Sequence, residues 1–147
     1  MLHKKVNGYT LLEILLSVAV ISIIAGLSLP VFQSFQNRND LSVASEVMVN
    51  TVRRAEIFSR AGKEDSQWGV RVEGENIVLF KGNDFSGRNQ AFDEDFSISS
   101  TLNVSGQTEF IFNKFSGEPQ SPGSIVFMGL NGRSETVSIN EKGVVNY

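Results

Sequence analysis

A long uncharged stretch lies near the start of the 147-residue chain. No residue is charged from Ile14 to Asn37, and the first 19 of these residues are mostly Ile, Leu, Val and Ala. About 20 apolar residues in a helix are enough to cross a hydrocarbon core of ~30 Å. Lys4 and Lys5 flank the stretch on its N-terminal side, and this bias predicts a cytoplasmic N-terminus. The pattern therefore predicts a transmembrane helix over residues 9–35, with the rest of the chain outside the cytoplasm.

A helical period continues beyond the apolar stretch. Apolar side chains recur at spacings of three and four residues, with charged residues on the other faces, which predicts an amphipathic helix over residues 36–62. Gly62 is a typical C-terminal stop. Gly26 and Pro30 interrupt the apolar part, and proline removes a backbone hydrogen bond, so we expect a helix kink there. The predicted apolar stripe consists of Leu41, Ala44, Val47, Met48, Thr51, Val52, Ala55 and Phe58.

After Gly62 the pattern changes to short β-like segments separated by turn signals. Asn131-Gly132 is the strongest hairpin signal, and residues 82–92 are typical of a long surface loop. One face of an antiparallel sheet is expected to cover the amphipathic helix. The fold class is therefore α+β, with a β-rich head domain over residues 63–147. The seven predicted strands are 67–73, 76–81, 95–104, 108–114, 124–130, 136–140 and 144–146.

Composition limits the chemistry that is available to this chain. Its 41% apolar and 20% charged residues exclude general disorder, and its length suits one domain with a real core. It has no cysteine, which excludes disulfides, thiolate metal sites and cysteine nucleophiles, and its only histidine is His3. Carboxylate chemistry remains, but no pair stands out. We therefore expect no enzyme activity, no cofactor and no metal centre.

Three kinds of N-terminal segment compete for the apolar stretch. A cleavable secretory signal needs a small-residue site, for which Ala25-Gly26-Leu27 is the nearest candidate, but the apolar stretch continues beyond it. A plain signal anchor is the second kind. Neither explains Glu13, because a carboxylate at the bilayer centre costs about 2.5–3.5 kcal/mol. Glu13 is then either an interfacial residue in contact with headgroup water, or a group that gains a positive partner when the helix leaves lipid.

The third kind is indicated by the residues themselves. A basic leader, Gly8 and Tyr9-Thr10-Leu11-Leu12-Glu13 precede the apolar helix and Pro30, and this order resembles the class III signal of type IV pilins and type II secretion pseudopilins. The resemblance implies that residues 1–8 are a leader, which prepilin peptidase removes between Gly8 and Tyr9 before Tyr9 is N-methylated. The family usually has Phe where Tyr9 stands. Glu13 becomes the fifth residue of the mature chain, and we expect it to act in filament assembly.

The order of elements narrows the resemblance to the GspH/FimT group of minor pseudopilins. Arg54-Ala55-Glu56-Ile57, Trp68-Gly69-Val70 and Phe115-Ser116-Gly117 are local features similar to that group. The resemblance implies a type II secretion subunit that joins the pseudopilus near its tip for protein export. It implies a location in the inner membrane, with the C-terminal domain periplasmic. The implied partners are prepilin peptidase, other pilin and pseudopilin subunits, the inner-membrane assembly platform and membrane lipid.

Two other functions fit the sequence. One is a minor pilin of a type IV pilus or competence filament, acting in adhesion, motility or DNA uptake; the other is a membrane-anchored extracytoplasmic binding or enzyme domain that never polymerises. DNA binding is disfavoured by the net charge of −3, which becomes −5 without the leader because 11 basic residues then face 16 acidic ones. Some FimT-like proteins bind DNA through a basic Gly-Arg motif, but Gly132-Arg133 is followed by Ser134-Glu135. Arg53 and Arg54 are expected on a solvated helix face.

Two further features are each open to a functional and a structural interpretation. The clustered carboxylates of Asp84, Asp93, Glu94 and Asp95 are of the kind that bind calcium. Their spacing matches no known calcium loop, so a solvated acidic loop is favoured. Trp68 is of the kind that anchors a partner, but a position at the edge of the core is the commoner use of a tryptophan.

The first prediction concerns processing. Intact mass spectrometry of the protein extracted from membranes should show the loss of residues 1–8 and the gain of one methyl group. A bulky residue in place of Gly8 should leave the leader attached. A mature chain that begins elsewhere, for example after Ala25 or Gly26, would contradict this assignment.

Overall fold

A computed structural model describes the backbone of residues 8–147 and the side chains of residues 8–26 and 35–147. His3, Lys4 and Lys5 lie outside the described residues. The chain divides after Gln36 into two compact units, and each is described by itself.

One long helix, α1, runs from Leu11 to Arg60. The described side chains of its first part, residues 11–26, are all exposed. Gly26 and Pro30 fall within the bounds of α1; the side chain of Pro30 lies outside the described residues, and the kink stays a prediction. Within the part of the chain that the structure describes, no helix is long and apolar enough to cross a membrane.

The second unit begins at Asn37 and contains the rest of α1. Six of the eight predicted stripe residues are buried there, and Val47 and Phe58 pack against the same core while partly exposed. Ala44 and Ala55 are almost fully buried, and their small side chains allow a close approach of the strands. The predicted stripe is confirmed. The helix ends one residue before Ala61, and Gly62 follows with φ +62°, a conformation that favours glycine.

Eight antiparallel strands follow α1 and form two four-stranded sheets. The first sheet has the order β3-β2-β1-β5, and the second has the order β4-β6-β7-β8. A one-turn 3-10 helix at Lys63–Asp65 precedes the strands, and another at Gln90–Phe92 precedes β3. The strands are β1 (Trp68–Glu73), β2 (Asn76–Lys81), β3 (Glu94–Ser97), β4 (Asn103–Gly106), β5 (Glu109–Phe112), β6 (Gly123–Met128), β7 (Ser134–Ile139) and β8 (Val145–Asn146).

The structure corrects the predicted single strand over residues 95–104. It is two strands, β3 and β4, which belong to different sheets, so the single sheet expected from the sequence is also wrong. The break lies at a polar turn, where the amide of Leu102 donates to the carbonyl of Ser99 (3.2 Å) and the hydroxyls of Ser99 and Thr101 lie 2.9 Å apart. Threonine is common in strands and serine in turns, and here the turn prevails.

The core lies between α1 and one face of each sheet. Val70 and Phe112 from the first sheet and Phe127 and Val137 from the second join the α1 stripe in one continuous apolar cluster. Two buried serines fasten the helix to both sheets. The hydroxyl of Ser59 accepts from the amide of Trp68 (2.9 Å) and donates to its carbonyl (3.3 Å), while the hydroxyl of Ser45 hydrogen-bonds the carboxylate of Glu135.

The outer face of the first sheet is covered as well. Phe85, in the segment predicted to be a surface loop, is only 7% exposed and packs edge-on against Phe80, with their ring centroids 5.4 Å apart. The guanidinium groups of Arg71 and Arg88 lie 4.9 and 3.6 Å from the centroid of the Phe85 ring. Glu109 pairs with Arg71 (2.7 Å) and also accepts from the amide of Phe85 (3.1 Å). The loop is therefore bound to the sheet rather than freely solvated.

The second prediction concerns the stability of the head. A fragment of residues 36–147 should be soluble and monomeric, β-rich by circular dichroism, and should unfold cooperatively. In that fragment Phe127→Ala should lower the free energy of unfolding by about 3–5 kcal/mol, because Phe127 is fully buried. Leu130→Ala is the control: this side chain is 70% exposed, and the change should be within about 0.5 kcal/mol. Equal effects in urea titrations, or an unfolded fragment, would contradict the described core.

Candidate processing and assembly site

The predicted cleavage site lies at the start of the described chain. Gly8 and Tyr9 are exposed and precede α1 in non-helical backbone, and the Tyr9 side chain is 79% exposed. A β-carbon placed on Gly8 would meet no described atom within 4 Å. Packing in the described part of the molecule thus sets no limit on the size of residue 8. Any requirement for glycine at this position must therefore come from a partner that recognises the site.

Thr10 caps the first turn of α1. Its hydroxyl accepts from the amide of Glu13 (3.2 Å), and its carbonyl accepts from the amide of Ile14 (3.2 Å). Thr10 to Glu13 has the spacing of a capping box, in which a threonine and a glutamate three residues later serve the unpaired amides of a helix start. The carboxylate of Glu13 lies in the first turn, where the helix dipole favours negative charge. Sequence reasoning missed this role, although the Thr-x-x-Glu spacing carries it.

The first part of α1 exposes apolar side chains on all its faces. Ten Leu, Ile and Val side chains between Leu11 and Ile24 are 48–80% exposed. The serines add little polar surface, because Ser17 and Ser22 donate their hydroxyls to carbonyls of their own helix (2.7 and 2.8 Å). A helix that is apolar on every face is found in a protein core or in a membrane. This segment therefore needs lipid or other helices around it.

The arginines considered for DNA binding do not form one patch. The Nη2 group of Arg54 donates to both carboxylate oxygens of Glu94 (2.7 and 2.8 Å), whereas Arg53 is exposed in a cleft near the end of α1. Arg133 lies at the β6–β7 hairpin, close to Gly129. A β-carbon placed on Gly129 would lie 3.4 Å from Leu41, so this hairpin packs against the start of the buried stripe. Leu41 and Arg53 are twelve residues apart on α1, a rise of about 18 Å. Arg54 keeps 40% of its side-chain surface exposed, and it also pairs with Glu94 of the first sheet.

The cleft around Arg53 has a volume of about 350 Å³ and mixed charge. Glu56 and Arg60, one turn apart on α1, form an ion pair in its lining (2.5 Å), and Lys142 pairs with Glu118 beside it (2.8 Å). The hydrogen bond from the Lys142 ammonium lowers the pKa of the Glu118 carboxyl, and the same bond raises the pKa of Lys142. Both groups therefore stay charged over the neutral range. The cleft therefore carries charges of both signs at the surface.

Three of the four carboxylates in the acidic cluster bind groups of the same chain. Asp93 pairs with Arg88 (2.7 Å), Glu94 with Arg54, and Asp84 accepts from the amide of Gly87 (2.6 Å). Among the described residues no group of three or more carboxylate or imidazole side chains is placed to hold a metal ion. Asp95, the fourth carboxylate of the cluster, is exposed.

Trp68 lies in the core. It is 1% exposed, its indole N–H donates to the carbonyl of Lys63 (3.0 Å), and the rings of Phe58 and Phe92 pack edge-on against it. The interpretation of Trp68 as a core residue is confirmed.

The third prediction concerns DNA. Binding of the fragment of residues 36–147 to duplex DNA near physiological salt should be weaker than about 10⁻⁵ M, within the non-specific range. The physical reason is that Arg53 and Arg133 are far apart on a chain with more acidic than basic residues. Fluorescence polarisation with labelled duplex measures this directly. Submicromolar binding that is abolished by Arg133→Ala, or by Arg53→Ala with Arg54→Ala, would overturn the expectation.

Comparison with known proteins supports both halves of this description. Residues 3–29 match the family of the prokaryotic N-terminal methylation motif. No curated protein matches the chain. Two structures of the minor pseudopilin EpsH from the type 2 secretion system of Vibrio cholerae match it with a TM-score of 0.56 at 11% and 10% identity. These matches cover 73% and 74% of this chain, and 94% and 92% of the EpsH chains. The chain therefore combines a prokaryotic N-terminal methylation motif with a head that shares the fold of EpsH.

Proposed function

We propose that this chain is a minor pseudopilin of a type II secretion system, a structural subunit that joins the pseudopilus near its tip during protein export. The proposal rests on two features that occur together in this chain. A methylation motif stands at residues 3–29, and the head has the fold of a minor pseudopilin. Neither feature provides a catalytic group, and the work of such a subunit is assembly and recognition.

Processing comes first in the proposed sequence of events. Prepilin peptidase cuts between Gly8 and Tyr9 and methylates the new amine of Tyr9. The exposure of both residues, ahead of the first turn of α1, supports access by an enzyme. Lys4 and Lys5 keep the leader on the cytoplasmic side of the inner membrane, so the head lies in the periplasm.

The apolar first part of α1 then has two successive environments. Lipid surrounds it before assembly, and the helices of neighbouring pilin-like subunits replace lipid within the filament. Both environments remove the ten exposed aliphatic side chains between Leu11 and Ile24 from water. The backbone is already paired within the helix, so the transfer exposes no unpaired amide. Gly26 and Pro30 mark the place where we propose that this part bends.

Glu13 is the group for which the two environments differ. A carboxylate in apolar surroundings is unfavourable without a positive partner. The methylated amine of Tyr9 is the cation created at the same depth, because the leader lysines have been removed and Arg38 lies far along α1. Pairing of Glu13 with the amine of a neighbouring subunit would fix the axial register of the two helices.

The fourth prediction tests this pairing. Glu13→Leu should leave cleavage intact and strengthen membrane retention, since it removes a buried charge, but should impair recruitment into the complex of pilin-like subunits. Glu13→Gln should be milder because it keeps an acceptor. Glu75→Leu, in the exposed β1–β2 turn, is the matched control and should behave as the unchanged protein. The measurements are processing by mass spectrometry, co-purification with other pilin-like subunits, and secretion.

Two outcomes would contradict the proposal. Normal co-purification and normal secretion with Glu13→Leu would make Glu13 an interfacial residue only. Deletion of the gene with normal secretion, but with loss of piliation or DNA uptake, would assign the chain to a type IV pilus or competence filament instead.

A further inference from the structure

Strand β7 has a neighbouring strand along only part of one of its edges. On the other edge it pairs with β6 over all six of its residues. On this edge β8 pairs only with Ser138 and Ile139, so residues 134–136 lie beyond the end of β8 with no strand beside them among the described residues. An edge of this kind offers unpaired backbone groups to another chain.

The hydrogen-bonding phase of the ladder identifies the free backbone groups. The amide of Gly129 donates to the carbonyl of Arg133 (2.9 Å), so Arg133 is bonded toward β6. Successive residues of an antiparallel strand alternate between its two edges. Ser134, Thr136 and Ser138 therefore direct their N–H and C=O groups to the edge away from β6. Ser138 meets β8 there, whereas Ser134 and Thr136 are exposed and meet no strand in the described part of the chain.

A cavity of about 510 Å³ lies beside this open edge. Its lining comes from α1, from the open part of β7 and from the residue that follows β8. An added strand would lie about 4.8 Å from β7, in line with β8, and every second side chain would point toward α1. The cavity thus has the position that such side chains need. We call it the edge groove; it is lined by Ser42, Ser45, Glu46, Glu135, Thr136 and Tyr147.

Charges on the α1 side of the open edge restrict which strand can be added. Val137 is buried in the core, so Arg133 and Glu135 share the face of β7 that is directed toward α1. The carboxylate of Glu135 hydrogen-bonds the hydroxyl of Ser45, which leaves its charge in place. In the described residues none of Glu46, Glu135 and Arg133 forms an ion pair.

The two signs of charge are ordered along the edge. Glu46 and Glu135 line the edge groove, and Arg133 lies two residues from Glu135 toward the β6–β7 turn. Arg38, which is exposed, lies on α1 toward that same turn, since Gly129 at the base of the turn packs against Leu41. Asp40 is engaged elsewhere, because its carboxylate lies 3.5 Å from the hydroxyl of Thr101 in the β3–β4 turn. An apolar strand would leave these charges without partners, which is unfavourable.

We propose that the open edge of β7 binds an extended segment of a neighbouring protein as an antiparallel strand, and that this segment carries a cation, one intervening residue and a carboxylate, in that order. A strand antiparallel to β7 passes Glu135 before Arg133. Its cation then enters the edge groove beside Glu46 and Glu135, and its carboxylate lies opposite Arg133. Backbone hydrogen bonds to Ser134 and Thr136 give affinity, and the charges set register and direction. The proposal rests on the proposed function only in that an assembly supplies the neighbouring protein.

The experiment uses the full chain in detergent micelles and two fluorescent peptides. Both are short segments of threonine and serine, one around a central Lys-Thr-Glu and the other around Lys-Thr-Lys. Fluorescence polarisation measures their affinities, and hydrogen exchange followed by mass spectrometry locates the amides that they protect.

We expect the Lys-Thr-Glu peptide to bind about five-fold more tightly than Lys-Thr-Lys, because opposite charges across two strands attract and like charges repel. Arg133→Glu should reverse this preference. Arg53→Glu makes the same change of charge at an exposed arginine elsewhere on the head and should not reverse it. Exchange should slow at Ser134 and Thr136, and stay unchanged in β4, the other edge strand of the same sheet.

A backbone variant tests the added strand directly. Thr136→Pro removes an amide that is directed away from β6, so it should abolish peptide binding while leaving the β6–β7 hydrogen bonds in place. Thr136→Ala keeps the amide and should bind the Lys-Thr-Glu peptide as the unchanged chain does. Circular dichroism checks that both variants are folded.

Several outcomes would overturn the edge site. They are equal binding of the two peptides by the unchanged chain, protection that lies away from β7, and normal binding by a folded Thr136→Pro chain. If Thr136→Pro does not fold, the arginine variants decide, and the same peptide preference in Arg133→Glu and Arg53→Glu contradicts the proposal.

The proposed function fails separately from the edge site. Normal secretion after deletion of the gene, together with selective binding of the Lys-Thr-Glu peptide, would overturn the secretion role and keep the edge site. Loss of secretion after deletion, together with no peptide binding, would keep the secretion role and overturn the edge site.

Discussion

The second part of α1 must bury a single stripe against two separate sheets, and the head is arranged around that constraint. Small side chains at Ala44 and Ala55 let both sheets come close, and large rings such as Phe112 and Phe127 fill the space on either side. The two fastening serines, Ser45 and Ser59, each hold a different sheet. Because each hydroxyl is hydrogen-bonded, their burial leaves no polar group unsatisfied.

Local pattern was sufficient to predict the elements of this fold but not their grouping. The apolar period identified the α1 stripe, and the Asn131-Gly132 signal identified the β6–β7 hairpin, because both depend on neighbours in sequence. The division into two sheets depends on which edges meet across the chain, and the polar turn at Ser99 and Thr101 was too weak a local signal to divide residues 95–104 into two strands. The burial of Phe85 was missed for the same reason, since its partners Arg71 and Glu109 lie far away in sequence.

The candidate site shows the same division between local and distant information. Gly8, Tyr9 and Glu13 were recognisable from a contiguous motif, and that motif matches the methylation family. The pairing of Arg54 with Glu94 joins residues forty positions apart and required the fold. The sequence has more acidic than basic residues. It did not reveal that the acids are used internally, as partners that hold loops to sheets.

The cap at Thr10 determines the residue at which α1 begins. Thr10 would be the second residue after cleavage, so the hydroxyl that starts the helix stays with the chain when the leader leaves. After the proposed cleavage the new amine would lie before this first turn and Glu13 within it, at a separation that the helix itself determines. One residue inserted between Tyr9 and Glu13 would rotate the carboxylate by about 100° and move it about 1.5 Å along the axis. Under the proposed cleavage and assembly, the rotational phase of each subunit would be set within the five residues from Tyr9 to Glu13.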